Sequence, residues 1–334
     1  MKSKSKNHLD NLTIKKIFKK ISVTEINGIN KLSEGEYNTL YEIAADGKSY
    51  MLKVAPSCDF KHLTYENNMM KSEIFWYDKM RKETQIPVPE VYFTDFTKTV
   101  IPADYFIMEK IDGTLKSKTR FTKEEKEQAN TQLIKQLADL HSIRNDKFGY
   151  VQGTLFDNWY DAYTHIVKGH IGDIKRAGKK SKNAELILSY AEKYKDILTD
   201  VQSCAVNTDC WDTNIICKKE NSETKLVWID PERSMWGDRL FDFICLDPMT
   251  PIENQKDIIN TYNTYTDDKL IVGKNEVIRY AFCLALLALV MDAEKHYRYT
   301  PLHYGWWRNV ISSKMFYENA FKTLKYHLDE KKHA

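Results

Sequence analysis

The stretch Asn207-Thr-Asp-Cys-Trp-Asp-Thr-Asn214, followed by Ile-Ile and then by Val-Trp-Ile-Asp230, constrains this chain more than any other segment. Two β-rich runs, 214–217 and 225–229, flank a polar turn at 218–224, so the chain is expected to double back as a hairpin. Asp209 and Asn214 are five apart, and Asp230 comes sixteen residues after Asn214. A hairpin of that length returns beside its start, which lets all three side chains face one cleft. An Asx-rich loop that merely caps its own backbone is the plainer alternative.

The rest of the chain supplies a frame for such a cleft. Two runs, 38–43 and 49–54, are separated by Ala-Ala-Asp-Gly-Lys and read as a hairpin. A helix is expected over 65–82, stopping before Ile86-Pro-Val-Pro89, whose prolines force extended backbone. Strands at 91–94 and 105–108 follow, and Asp112-Gly113 ends this part. From Thr122 the pattern turns helical: Thr122-Lys-Glu-Glu125 is a capping box, and Ala129, Leu133, Leu137 and Leu140 continue one stripe. Residues 155–200 read as helical with a Gly/Lys-rich interruption at 169–182, and helices run from Asp242 to the end. Strands first and helices later give an α+β fold. A length of 334 residues suggests two unequal lobes, taken as 1–111 and 112–334.

Composition excludes little. The net charge of +3 says nothing for or against nucleic acid. Lysines at the N-terminus surround a stripe of Leu12, Ile14, Ile17, Phe18 and Ile21, read as a solvated amphipathic helix, with a membrane or nucleic-acid arm as the alternative. Six cysteines without a Cys-x-x-Cys pair read as reduced thiols rather than a zinc site. The longest apolar run, 281–291, is shorter than the roughly 20 residues of a membrane span. No signal peptide is legible. The expectation is a cytoplasmic protein with neither membrane nor nucleic acid as partner, of open oligomeric state.

Phosphoryl transfer needs positive charge on the phosphates, oxygen ligands for a metal, and a carboxylate near the accepting hydroxyl. Asp209, Asn214, Asp230 and a lysine on an early strand, Lys53, offer these groups in order. Together they resemble the aminoglycoside phosphotransferase and choline kinase group, the small-molecule branch of the protein-kinase-like fold, over about residues 30 to 245. The resemblance implies a bilobal fold, with a small β-rich N-lobe and a larger, mostly helical C-lobe. It also implies transfer of the γ-phosphate of ATP or GTP, with Mg²⁺, to a hydroxyl of a small molecule. By resemblance Asp209 is the catalytic carboxylate, Asn214 and Asp230 are metal ligands, and Lys53 pairs with Glu73, with Glu66 as the alternative partner. Ser33 and Asn38 would contact phosphate. Glu109 C=O and Ile111 N–H would read the base at the inter-lobe connection. Asp242 would brace the catalytic loop, and Asp238 reads as an exposed turn residue.

Two positions depart from the family's His-Gly-Asp-x-x-x-x-Asn: Asn207 replaces histidine and Thr208 replaces glycine. A catalytically silent nucleotide-binding protein is therefore a rival. A protein kinase is another, but the eleven residues between Asp230 and Asp242 are too short for an activation loop, and Asp230-Pro-Glu lacks the glycine of Asp-Phe-Gly. The acceptor stays open among aminoglycosides, other antibiotics, choline and sugars. Aromatic residues near the helix break at Pro301, Trp306 among them, together with Asp157, Trp159 and Asp161, are expected to line its site.

Overall fold

The computed structural model describes residues 7–32, 37–56, 60–220 and 223–333. Five antiparallel strands, β1 (Ile26–Lys31), β2 (Thr39–Ala45), β3 (Lys48–Val54), β4 (Val91–Asp95) and β5 (Tyr105–Glu109), form one sheet in the order β1-β2-β3-β5-β4. The β2–β3 hairpin turns on Asp46 and Gly47, at φ 46° and 75°, which is the left-handed pair a tight two-residue hairpin requires. Strand β2 alternates buried and half-buried residues, so Tyr41, Ile43 and Ala45 share one face.

That face is covered by α1 (Asn11–Phe18), capped by Asp10, which accepts the Thr13 N–H at 2.7 Å. Ile14, Ile17 and Phe18 are fully buried against Tyr41, Leu52 and Ile107, while Leu12 stays 71% exposed. The stripe expected to be solvated is therefore mostly core, and its apolar face is already occupied.

Helix α2 (Met69–Glu83) follows a 3-10 turn at Thr64–Glu66. Its Met70, Trp76, Tyr77 and Met80 join a core with Phe106 and Met108 of the sheet and Leu133, Leu137 and Trp228 of the following region. Trp76 donates its indole N–H to Ser234 O at 2.9 Å.

Beyond β5, Gly113 lies so close to β8 (Ile215–Glu220) that a Cβ would sit 2.5 Å from the Cys217 carbonyl oxygen; only glycine fits. The short strand β6 (Thr114–Leu115) pairs with β8, which pairs with β9 (Glu223–Trp228). Helix α3 (Lys123–Ser142) begins at the expected capping box, Thr122 and Glu125 exchanging bonds of 3.2 and 2.8 Å. The remainder is α4 (Trp159–Arg176), α5 (Lys182–Lys193), α6 (Lys195–Thr199), the pair β7 (Cys204–Val206) and β10 (Met235–Gly237), then α7 (Leu240–Leu246), α8 (Lys256–Thr264), α9 (Lys274–Arg298) and α10 (Tyr304–His333). A β-rich first part and a helical second part make the bilobal, kinase-like α+β fold.

The expected interruption at 169–182 is confined to a few residues after Arg176. Gly169 and Gly172 sit inside α4. Each weakens a helix by roughly 1 kcal/mol, but Ile166, Val167 and Ile174 bury the same helix against the core and outweigh that cost. The run 281–291 lies in α9 and is buried almost throughout. Among the described residues, no helix is long and apolar enough to cross a membrane. Cys204, Cys210, Cys217, Cys245 and Cys283 are free thiols; Cys58 lies outside the described residues.

Candidate active site

Strand β7 ends at Val206, and the next residues turn through Thr208 at φ 61°, the left-handed region. A β-branched side chain there is strained. Three bonds hold it. Asp242, fully buried on α7, accepts the N–H groups of Asn207 and Thr208 at 2.8 and 2.7 Å, and Thr208 Oγ1 donates to Arg233 O at 3.0 Å. His141 of α3 sits behind Asp242 at 3.1 Å. Asp242 thus braces the loop as the resemblance implied. Asn207 contributes its side-chain Oδ1, which accepts the Asp209 N–H at 3.0 Å.

The hairpin brings Asp209, Asn214 and Asp230 together. Asn214 Nδ2 donates to Asp209 O at 2.9 Å and Oδ2 at 3.1 Å, leaving Oδ1 for another partner. Ile229 N–H donates to Asn214 O at 3.0 Å, which sets Asp230 beside the loop. Burial pushes the Asp209 carboxyl up to about 6, against the pull of the Arg233 guanidinium, whose Nε lies 3.5 Å from Oδ2. A carboxylate of that basicity suits proton acceptance near neutral pH.

Lys53, on β3, reaches across. Its Nζ is 2.7 Å from Glu73 Oε2 on α2, forms a short ion pair with Asp230, and lies 3.5 Å from Glu232 Oε2. Lys53 is buried, which by itself would lower its pKa, but the charge of Asp230, Glu73 and Glu232 outweighs burial and raises it. Burial raises Glu73, whereas Asp230, although burial opposes it, is lowered by Lys53. Glu66 is not the partner: it accepts the Leu63 N–H at 2.7 Å and pairs with Arg298.

Oxygen atoms of Glu73, Asp230 and Glu232 all lie within 4.8 Å of one another. Glu73 Oε1 is buried without a hydrogen-bond partner, and the Asp230 side chain is 38% exposed. Carboxylate oxygens suit a hard divalent cation such as Mg²⁺, but Lys53 Nζ already lies among these three, so the half-exposed Asp230 is the one of them open to a cation outside the cluster. Glu232 was missed in the sequence, although Asp230-Pro-Glu sets it two residues from a candidate ligand. Asn38, expected to meet phosphate, donates to Glu232 at 3.1 Å. Ser33 lies outside the described residues. Glu109 closes β5, its N–H donating to Glu90 O at 2.7 Å, and half-buried Ile111 lies in the segment that follows.

A second group of charges adjoins the loop, and nothing local in the sequence announced it. Arg233 donates to Glu294 at 2.6 Å, Arg298 lies 3.4 Å from the same carboxylate, and Tyr65 OH donates to it at 3.1 Å.

The residues named for the acceptor are not brought together in this way. Trp159 is 1% exposed and packs between Phe148 and Tyr163, so it is core rather than wall. Asp157 pairs with Lys147, and Asp161 is held in the cap of α4 by Asn158 at 2.9 Å. Trp306 meets His296 edge-on at 5.3 Å, and the helix break is closed by Tyr299 stacked on His303. Asp238 is another correction. It is 2% exposed, accepts the Leu240 N–H at 3.1 Å and faces Arg279 Nε at 3.4 Å.

Comparison with solved structures finds the same fold in many chains. A proposed aminoglycoside phosphotransferase of Ralstonia eutropha superposes with a TM-score of 0.65 at 14% identity, covering 94% of this chain and 99% of that one. A proposed fructosamine-3-kinase of Haemophilus somnus gives 0.64 at 17% identity, covering 88% and 92%. The ternary complex of APH(2")-IIa with streptomycin and ATP gives 0.57 at 17% identity, covering 92% and 97%. No curated protein matches the sequence. The model of the phosphotransferase enzyme family matches residues 28–264, and the chain belongs to that family.

Proposed function

We propose that this small-molecule phosphotransferase moves the γ-phosphoryl group of ATP or GTP to a hydroxyl of its acceptor. Residues 1–111 would hold most of the nucleotide, and residues 112–334 the reacting groups and the acceptor. The observation that carries the reading is the convergence of Lys53, Glu73, Asn214 and Asp230 on one cleft with Asp209 at its edge.

Each group has a task. Lys53, held by Glu73, presents its ammonium to the nucleotide phosphates. Asp230 and Asn214 would hold Mg²⁺, which supplies charge neutralisation on the phosphates when bound. The Asp209 carboxylate accepts the acceptor's hydroxyl proton as the acceptor oxygen bonds to the γ-phosphorus. The bond from that phosphorus to the β,γ-bridging oxygen breaks, and the nucleoside diphosphate leaves with the electron pair. Asn207 keeps the loop closed by its bond to Asp209 N–H, which counters the silent reading.

The test is diphosphate release from ATP and from GTP with a panel of hydroxyl compounds, in wild type and Asp209→Asn. Loss of turnover by about 10²–10⁴ with nucleotide affinity within a few-fold is expected for a lost general base. Unchanged turnover in Asp209→Asn removes Asp209 from this role.

A further inference from the structure

A cavity of about 250 Å³ lies beside the candidate active site, between the turn at Thr64–Glu66, the loop 149–156 and one face of α4. Tyr65 and Tyr150 form its wall toward the loop of Asp209, stacked at 5.6 Å between centroids with their planes 22° apart. On the other side of that wall the Arg233 guanidinium lies 5.9 Å from the Tyr65 ring, and Arg233 is the residue 3.5 Å from Asp209. The tyrosine pair and Arg233 therefore stand between the cavity and the carboxylate that would take the proton. Phe156 and His165, 4.9 Å apart, add further ring surface to its lining.

Some of its polar atoms lack a partner. His170 is 2% exposed, and neither ring nitrogen has a hydrogen-bond partner, although Nδ1 faces Asp173 Oδ2 at 3.9 Å. A buried imidazole without partners is costly unless a ligand supplies them. Burial pushes His170 down to about 4, so at neutral pH it offers one donor and one acceptor. Gln152 spends its Nε2 on Tyr65 O at 3.0 Å and leaves a buried Oε1 without a partner. The one carboxylate in the lining, Asp173, is already taken by Thr64 N–H at 3.0 Å, Thr64 Oγ1 at 2.6 Å and the Arg176 guanidinium. An amine cation finds no free carboxylate there. A hydroxyl, which both donates and accepts, suits His170 and Gln152, and a ring suits the aromatic walls.

We propose that this cavity is the acceptor subsite and that it takes the non-reacting part of a neutral hydroxylated ring compound, of the monosaccharide, cyclitol or nucleoside kind, rather than a polycation. Size agrees, since a cavity of roughly 150 Å³ admits benzene and 250 Å³ admits one substituted ring. The inference rests on the phosphotransferase reading of the adjoining cleft.

Binding of methyl α-D-glucopyranoside, myo-inositol and adenosine, with streptomycin as the cationic probe, is measured by ligand-observed NMR and calorimetry. Wild type is compared with Gly169→Leu, which fills the cavity, and His170→Phe, which keeps the ring and removes its nitrogens. A Cβ at Gly169 meets nothing nearer than Thr64 at 3.9 Å, so the first variant has room to fold. At least one neutral ring compound is expected to bind wild type and to lose ten-fold or more in affinity in both variants, while streptomycin binding is unaffected by either. Failure of all three neutral probes, or equal affinity in wild type and both variants, overturns the proposal. So does a streptomycin site that both variants abolish. ATP binding is measured on the same preparations. If it persists while ring binding fails, only the cavity assignment falls; if ATP does not bind, the phosphotransferase reading falls and the ring data still judge the cavity.

Discussion

Half-buried Arg233 holds the buried Glu294 at 2.6 Å, joining the segment after Asp230 to helix α9 across 61 residues of sequence. Burial works against the Glu294 carboxylate, but Arg233 and then Arg298 outweigh it and hold its pKa down at about 2. The folded value lies below that of an ordinary glutamate, about 4.3 in an unfolded chain. The pair therefore stabilises the fold fully above that pH, and the contribution disappears as pH falls toward 2. Breaking a buried pair by removing one partner costs about 3–5 kcal/mol. Glu294→Ala is expected to lower Tm clearly at pH 7 and to flatten the fall in Tm between pH 5 and pH 3. A variant whose acid limb parallels that of wild type would contradict this.

Lys53→Ala is expected to weaken nucleotide binding or turnover at least ten-fold, and Glu73→Gln to do so more mildly through lost positioning. Glu66→Gln acts elsewhere, because Glu66 serves Leu63 N–H and Arg298. It should reduce stability and leave nucleotide affinity near wild type. Calorimetric titration with ATP, alongside thermal melts of all three variants, separates these outcomes. A larger nucleotide defect in Glu66→Gln reverses the assignment.

The oxygen cluster predicts a metal effect. Asp230→Ala should abolish the Mg²⁺ enhancement of ATP binding, and Glu232→Ala should reduce it, because its oxygen lies within 4.8 Å of those of Asp230 and Glu73. The measurement is ATP affinity with Mg²⁺ and with chelator. Undiminished enhancement in both variants rules out this ligand set.

Thr208 tests the balance of strain against bonding. A left-handed residue other than glycine costs roughly 1–2 kcal/mol, while a typical hydrogen bond such as the one from Thr208 Oγ1 to Arg233 O contributes about 1. Thr208→Gly removes both and should leave stability within about 1 kcal/mol. Thr208→Val keeps the strain and loses the bond, so chemical denaturation should show it less stable than either. Equal midpoints for Val and Thr would discount the bond.

Local pattern carried much of this protein. The capping box at Thr122, the Asp46-Gly47 hairpin and the loop from Asp209 to Asn214 are short-range features, and their geometry is set by neighbours in sequence. The Lys53–Glu73 pair was legible only through the family resemblance, since Glu66 lies on the same face of the expected helix and local pattern did not choose between them. Arg233, Glu294 and Arg298 were not, since charges that meet across 61 residues leave no periodic trace. Asp238 looked exposed because Trp-Gly-Asp-Arg is turn-like, and the opposite charge that makes its burial tolerable, Arg279, lies far along the chain. Trp159 was misplaced for the opposite reason. An aromatic beside two acids resembles a binding wall, yet helix phase turns the ring inward and Asp161 outward, and Asp157 lies exposed before the helix begins.

Helix α2 precedes the second lobe in sequence, yet its polar anchors belong there: Trp76 donates to Ser234 O, and Tyr77 OH receives the Asp230 N–H at 2.9 Å. Glu73 therefore sits on a helix pinned to the segment around Asp230, whereas Lys53 sits on the sheet. The ion pair between them is thus a rivet between sheet and helix, and any displacement of one against the other would have to stretch it.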